Sequence, residues 1–288
     1  MHKHARACLL AAGLSLACPA ALLAEPGAVP TAEDLSTPEA AAPSAPAVDT
    51  ISKRTLEQLQ AEADNGSTEA QYRLGLVYTY GLEDERDADA ARHWFELAAN
   101  KGHAEAQFQM GYLYTQGLGV RQDYAAAKRW FEKSANQGYA PAQYNMSLLC
   151  NRDQESQTAQ NWLELAAKHG VPPAQYDMAA QYAQKQDYQT ARNWLEKAAN
   201  QGYAPAQYDM GAMYARGQGV PQSFETAISW WEKAAAQNNT PALFSLGVVY
   251  AQGLGVPQDI ETARTLLEQA CARGERGACA AAKELPAR

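Results

Sequence analysis

The sequence predicts an all-α fold, a right-handed superhelical solenoid made of repeated antiparallel helix pairs. Three observations lead to this prediction. Alanine, glutamine and tyrosine are abundant while valine and isoleucine are scarce, which favours helix over sheet. A segment of 32 or 36 residues recurs six times along the chain. Within each copy, the apolar and small residues keep the spacing of a helix face.

Composition and charge limit the class of protein. The chain has 288 residues, of which 47% are hydrophobic and 19% charged, so it has enough apolar material to bury a core. Its 24 Lys and Arg residues stand against 32 Asp and Glu residues, and the formal net charge is −8. Because no basic tract occurs, we expect no nucleic-acid partner.

The N-terminus has the features of a targeting segment. Residues 1–24 begin with positive charges and continue with an apolar run over 9–17, which is too short to span a membrane. Small residues place cleavage near Ala20 or Ala24, and lipid attachment at Cys18 is the alternative. The sequence therefore predicts an exported protein, periplasmic or secreted, with no transmembrane segment in its mature form.

A linker is predicted to follow the targeting segment. Residues 25–50 contain five of the fourteen prolines and no aromatic residue. Such a stretch cannot bury enough apolar surface to offset the entropy lost on ordering, so we expect it to be a disordered Pro/Ala-rich linker.

The repeats begin after residue 66, and each divides into two helical halves. Helix A, the first half, carries an alanine, an aromatic, a small residue and a tyrosine on one side. We expect a neighbouring helix to approach closely at the small residue. The predicted units are residues 67–102, 103–138, 139–170, 171–202, 203–238 and 239–274. The small residues are Gly75, Gly111, Ser147, Ala179, Gly211 and Gly247.

Helix B, the second half, carries a tryptophan in five of the six units. Because these tryptophans recur at one place in the repeat, we interpret them as core residues, and Trp231 at the next place likewise. Glycines are expected to end helix B, and prolines to lie in the first turn of the next helix A. The five recurring tryptophans are Trp94, Trp130, Trp162, Trp194 and Trp230.

Three units insert a Gly-x-Gly-Val sequence between helix A and helix B. No predicted strand precedes these sequences, so we interpret them as turns and not as phosphate-binding loops. They start at Gly117, Gly217 and Gly253. The two short units, 139–170 and 171–202, lack four residues in this region, and we expect a tighter turn there.

The repeated pattern resembles the Sel1-like repeat family, a relative of the tetratricopeptide repeats. The similarity rests on A-x-A-Q-[YF]-x-[ML]-G-x-x-Y, then G-x-G-V, then A-x-x-W-[FLW]-E-x-A-A-x-x-G, and covers about three quarters of the chain. Cys150 and Leu266 depart from it. The resemblance implies that helix A lines a concave face. It also suggests an N-terminal capping helix at 51–66 and a C-terminal one at 275–288.

Three cysteines follow the targeting segment. The eight-residue offset of Cys271 and Cys279 resembles the cysteine pair of the secreted, cysteine-rich branch of the family. This resemblance implies a disulfide that holds the end cap, and two free buried thiols are the alternative. Cys150 stands at a core place of helix A. We interpret it as an inert small apolar residue, with a reactive thiol as the alternative.

No catalytic or metal-binding pattern is visible, so we expect no enzyme and no cofactor. The nucleophile, metalloprotease and nucleotide-binding motifs are absent from the sequence. The histidines outside the targeting segment, His93, His103 and His169, belong to different units and have no metal-ligand spacing.

Residues that vary between repeats are the candidates for partner recognition. On helix A, the places after the aromatic, after the small residue and two after the tyrosine differ between units. An ordinary solvated face is the alternative interpretation. The candidate contacts on the concave face are Gln109, Tyr112, Asn145, Arg152, Asp177, Asp209 and Arg216.

The sequence thus predicts an exported, non-enzymatic scaffold for protein–protein interaction. Its role would be that of an envelope adaptor, a regulator, or an inhibitor of the immunity type, and its partner is another protein. The alternative is a cell-wall-directed enzyme or a muropeptide- or β-lactam-binding protein, which the cysteine-rich branch implies.

Overall fold

The computed structural model describes residues 53–81 and 86–286, which form fourteen α-helices and no strand. The all-α prediction is confirmed. The predicted targeting segment and linker lie outside the described residues. The helices are α1 (Lys53–Asp64), α2 (Thr68–Tyr80), α3 (Ala88–Asn100), α4 (Ala104–Gln116), α5 (Tyr124–Asn136), α6 (Ala140–Arg152), α7 (Ser156–Lys168), α8 (Pro172–Gln184), α9 (Tyr188–Asn200), α10 (Ala204–Arg216), α11 (Phe224–Ala236), α12 (Thr240–Gln252), α13 (Ile260–Ala272) and α14 (Arg276–Glu284).

Two compact units divide the described chain between Ala174 and Gln175, inside α8. In the N-terminal unit, α1 packs on α2, and the pairs α2–α3, α4–α5 and α6–α7 follow in order. In the C-terminal unit, α9 packs on α10, the pairs α10–α11 and α12–α13 follow, and α14 packs on α13. Even-numbered helices from α2 to α12 are helices A, and their odd-numbered partners are helices B. Each pair buries its apolar side against its neighbours, as in a solenoid.

The small residue of helix A receives a large side chain from helix B of the same pair. A Cβ atom at Gly111 would lie 2.6 Å from the ring of Phe131, and Gly75 faces Phe95 in the same way. In the C-terminal unit, Gly211 faces Trp231, whose Nε1 donates to the carbonyl of Tyr208 at 3.0 Å. The core interpretation of Trp231 is therefore confirmed.

The five recurring tryptophans are less buried than the core interpretation predicts. Trp94 is 9% exposed, and the other four are only half-buried. In three of them, the ammonium group of the lysine three residues later lies 4.1 Å from the ring centroid. These three tryptophan rings therefore lie at the edge of the hydrophobic core, where the lysine side chain covers them, and not at its centre. The lysines are Lys133, Lys197 and Lys233.

The Gly-x-Gly sequences are turns between helices A and B, as predicted. Gly117 ends α4 in the left-handed conformation. Gly119 has a φ of +63°, and a Cβ there would lie 2.6 Å from the Ala88 carbonyl oxygen, so the loop packs on the start of α3. In the first short unit, only three residues separate α6 from α7, which confirms the tighter turn, and Gln154 among them adopts a φ of +64°.

The predicted disulfide is present between Cys271 and Cys279. It joins the end of α13 to α14, the last helix described. Ala278 and Ala281 of α14 are buried in one cluster with Leu267 of α13. The disulfide therefore holds a helix that packs on a single neighbouring pair.

Replacing both Cys271 and Cys279 with serine is expected to lower the free energy of unfolding by about 2 kcal/mol. The bond closes a loop of eight residues, which reduces the entropy of the unfolded chain. Urea denaturation followed by circular dichroism measures the change, and reductant should have the same effect on the unmodified protein. A urea midpoint that does not move in either experiment would show that α14 is held by packing alone.

Candidate functional site

The predicted partner contacts lie on helices A, and the structure places them at different depths. In the N-terminal unit, Gln109 of α4 is 1% exposed and Asn145 of α6 is 4% exposed. The Nδ2 of Asn145 donates to the carbonyl oxygen of Pro141 at 3.2 Å, within the first turn of its own helix. Tyr112, one turn after Gln109, is half-buried, and this burial raises the pKa of its hydroxyl. Of these three side chains, Tyr112 is the one open to solvent.

Arg152, at the end of α6, belongs to a network of charges. Its guanidinium carbon lies 4.1 Å from the centroid of the Tyr124 ring, and its Nη2 is 3.0 Å from a carboxylate oxygen of Asp153. The ammonium group of Lys128 reaches Asp153 at 3.0 Å and Glu155 at 2.8 Å. The network fixes the short turn between α6 and α7 while leaving part of Arg152 accessible.

In the C-terminal unit, Asp209 of α10 is buried, at 2% exposed. The hydroxyl of Tyr176 donates to its Oδ2 at 2.8 Å. Burial raises the pKa of Asp209 to about 7, although the bond from Tyr176 and the charge of Arg216 oppose the shift. Near neutral pH this carboxyl group is therefore partly protonated.

Two further candidates in this unit are partly exposed. Arg216, the last residue of α10, has an Nη1 that is buried without a hydrogen-bond partner. Asp177 of α8 lies near the hydroxyl of Tyr176, and its charge contributes to the raised pKa of that tyrosine, of which burial is the main cause. The structure thus brings Asp209, Arg216 and Tyr176 together.

The sequence reasoning gave no role to the recurring glutamine of helix A, which the structure shows to be a joint between repeats. Its side-chain Nε2 donates to the carbonyl oxygen of the residue eight places earlier, on the preceding helix B. The Oε1 of Gln107 and that of Gln207 accept in turn from a glutamine at the end of their own helix B, at 2.7 and 2.8 Å. The bonds to the carbonyl are Gln71–Ala63 (3.0 Å), Gln107–Ala99 (3.0 Å), Gln143–Ala135 (3.2 Å) and Gln207–Ala199 (3.1 Å).

The described residues contain no group of three His, Cys, Asp or Glu side chains that could hold a metal ion. Cys150 is fully buried, and burial raises the pKa of its thiol to about 11, so it stays protonated at neutral pH. The imidazole of His103 accepts from the backbone of Ala106 at the start of α4. His169 contacts Gln143 at 2.7 Å. Within the described part of the chain, no helix is both long and apolar enough to cross a membrane.

Stacked helix pairs that share their packing and differ on one face define an α-helical repeat protein. The chain belongs to the Sel1 repeat family, which it matches six times in succession. No curated protein matches the sequence. The matched residues are 68–103, 104–139, 140–171, 172–203, 204–239 and 240–275.

Several solved structures are similar to this chain. A protective antigen of uropathogenic Escherichia coli with an SLR fold is 33% identical over 80% of this chain, with a TM-score of 0.70, and this chain spans 50% of that protein. A Sel1 repeat protein from Oxalobacter formigenes is 29% identical over 75% of this chain and 90% of its own, with a TM-score of 0.66. An immunity protein from Pseudomonas aeruginosa is 23% identical over 77% of this chain and 88% of its own, with a TM-score of 0.52, a likeness of fold.

Proposed function

We propose that this chain is an exported, non-enzymatic scaffold that binds another protein through the exposed side chains of its helices A. One observation carries the proposal. The side chains that join the repeats are nearly constant, whereas the partly exposed side chains of helix A, such as Tyr112, Asp177 and Arg216, change from repeat to repeat. A constant framework with a variable face is typical of repeat proteins that recognise other proteins.

Two further observations support the finer parts of the proposal. The bond between Cys271 and Cys279 fits an oxidising compartment such as the periplasm. Similar folds are called immunity proteins in Pseudomonas aeruginosa, which fits a role as an inhibitor that covers a partner. Adaptor and regulator roles use the same face.

Affinity capture from a cell-envelope extract, with the mature chain as bait, tests this function. We expect one stoichiometric protein partner, and at least tenfold weaker capture by Tyr112→Ala or Arg216→Ala, because each removes a partly exposed side chain of helix A. Lys133→Ala and Lys233→Ala serve as matched controls, and we expect both to keep full capture. These exposed lysines lie on helix B of the repeats that contain Tyr112 and Arg216.

Circular dichroism of each bait first establishes that it is folded. Equal capture by all four variants would place the binding surface away from helices A. Recovery of cell-wall fragments in place of a protein would favour the muropeptide-binding alternative and contradict the proposal.

A further inference from the structure

A surface cavity of about 610 Å³ lies in the N-terminal unit, between α3 and the turn that joins α4 to α5. Its size falls within the range of ligand-binding sites in proteins. Two of the lining residues carry guanidinium groups, Arg92 of α3 and Arg121 of the turn. Tyr114 of α4 and the other residues of 119–123 complete the lining. We call this site the Arg121 cavity.

The guanidinium groups of the cavity are only partly neutralised. The Nη1 of Arg92 lies 3.0 Å from a carboxylate oxygen of Glu96 on the same helix, and a guanidinium has further N–H donors beyond this one. Arg121 is exposed, and no carboxylate of the described residues forms an ion pair with it. The carboxylate of Asp123, also in the lining, accepts from the backbone of Ala126 at 2.9 Å and caps α5. The cavity therefore has donors for a bound anion.

The next repeat shows what the cation at this place of helix B binds. Lys128 is the fifth residue of α5, as Arg92 is the fifth residue of α3. The ammonium group of Lys128 receives two carboxylates from the turn between α6 and α7, Asp153 at 3.0 Å and Glu155 at 2.8 Å. The corresponding turn beside Arg92 adds a second cation, Arg121, to the same cavity. A carboxylate from another chain would take the place that Asp153 and Glu155 occupy in the next repeat.

The surroundings of the cavity favour a peptide over a small anion. Two guanidinium groups bind the oxygens of a carboxylate or a phosphate. Leu118, which precedes the cavity residue Gly119 in the chain, is 42% exposed, whereas its counterpart Leu254 packs against the core of the last repeats. An acidic residue with an apolar neighbour would bind the arginines and cover Leu118 together, which an inorganic anion could not do.

We propose that the Arg121 cavity binds an acidic peptide segment of the partner protein. One Asp or Glu carboxylate of that segment accepts from the guanidinium groups of Arg92 and Arg121, and an apolar side chain beside it covers Leu118. This inference rests on the proposed protein-binding function. It adds a contact at a turn between helices A and B, and it gives the chemistry of the partner there.

Two substitutions remove the arginines and copy residues that other repeats already use. Arg121→Pro reproduces the turns of two later repeats, in which Pro221 and Pro257 occupy the same place. Arg92→Gln reproduces α7, in which Gln160 at this place contacts the residue four positions later, as Arg92 does. Both variants should therefore fold with little change in melting temperature, so a loss of binding would not result from unfolding.

Random dodecapeptides displayed on phage and selected on the full chain provide the probe, after removal of peptides that also bind Arg121→Pro. We expect the remaining peptides to share an Asp or Glu residue with an apolar neighbour. By fluorescence anisotropy, a synthetic peptide of this set should bind Arg121→Pro and Arg92→Gln about tenfold more weakly, the loss expected for one charge-assisted hydrogen bond. Arg129→Gln, which removes an exposed arginine of α5, is the matched control and should bind as the unmodified protein does.

A double-mutant cycle tests whether the carboxylate and Arg121 are partners. Replacing the shared acidic residue of the peptide with its amide should weaken binding as much as Arg121→Pro does, and both changes together should cost no more than either alone. Three results would overturn the inference: losses that multiply, no peptide that distinguishes Arg121→Pro from the unmodified protein, or displacement of the peptide by micromolar inorganic phosphate. If affinity capture nevertheless depends on Tyr112 or Arg216, the proposed function stands and the acidic-peptide contact alone fails.

Discussion

Gly111→Ala is expected to lower the free energy of unfolding by about 3 kcal/mol, because α4 and α5 could not keep their present spacing. The added Cβ would lie 2.6 Å from two carbon atoms of the Phe131 ring, closer than such atoms approach in proteins. Phe131 is itself fully buried, at 1% exposed. Alanine favours helix over glycine by about 1 kcal/mol, which offsets only part of this cost. Urea denaturation measures the change.

A second substitution should restore stability. The pair Ala179 and Leu195 already packs in one cluster of the C-terminal unit. Gly111→Ala combined with Phe131→Leu copies that pair, and we expect it to recover about 2 kcal/mol of the loss. Phe131→Leu alone should cost about 1 kcal/mol through the cavity it leaves. If Gly111→Ala is as stable as the unmodified protein, the two helices can separate freely and the account of their packing is wrong.

The position of the small residue of helix A was predictable from the sequence, but the side chain of helix B that packs against it was not. On helix B, Trp130 and Phe131 are both apolar and adjacent, so the spacing alone allows either to face helix A. The structure selects Phe131, because the rotation of α5 against α4 turns this residue inward and leaves Trp130 at the edge beneath Lys133. Rotation about a helix axis depends on the neighbouring helix, which the pattern of one helix does not contain.

The recurring glutamine was visible as a pattern without an explanation. Its acceptor is a backbone carbonyl on the preceding helix B, and all residues have such a carbonyl, so no side-chain motif marks the partner. For Gln107, the second bond comes from Gln137, thirty residues later. Both partners become adjacent only when the helices stack.

The candidate contacts were predicted as one set, and their depths were not predictable. Gln109, Asn145 and Asp209 share one place of helix A, directly after the aromatic, and all three are buried; Asp209 contacts Tyr176 of the preceding helix A. Tyr112 and Arg216 occupy other places of the helix, and part of each side chain remains exposed to solvent. A helix turns by 100° per residue, so a modest error in its rotation exchanges a buried place for an exposed one.

Asp209→Asn is expected to stabilise the protein at pH 8 by about 3 kcal/mol. In the folded protein the pKa of Asp209 is raised from 3.8 to about 7, chiefly by burial. A difference of this size corresponds to about 4 kcal/mol, and the new amide nitrogen, which needs an acceptor, costs about 1 kcal/mol. Asparagine keeps an oxygen that accepts from Tyr176, so the buried bond survives.

The pH dependence of this gain follows from the direction of the shift. Because the folded protein holds the proton more tightly than the unfolded chain, the Asp209 carboxyl reduces stability progressively as the pH rises from about 4 to 7. Below pH 4 the carboxyl is protonated in both states and the substitution should give no gain. Urea denaturation at several pH values, for the unmodified protein and for Asp209→Asn, measures this difference.

Asp187 provides a matched control of opposite sign. It caps α9, where bonds from Thr190 lower the pKa of its exposed carboxyl. Asp187→Asn should therefore reduce stability at pH 8 and have little effect at pH 3. If Asp209→Asn behaves like Asp187→Asn, then Asp209 is ionised and well solvated in the folded protein. In that case Tyr176 and Arg216 would stabilise a charge, and the helix-A side of the C-terminal unit would be anionic at this position.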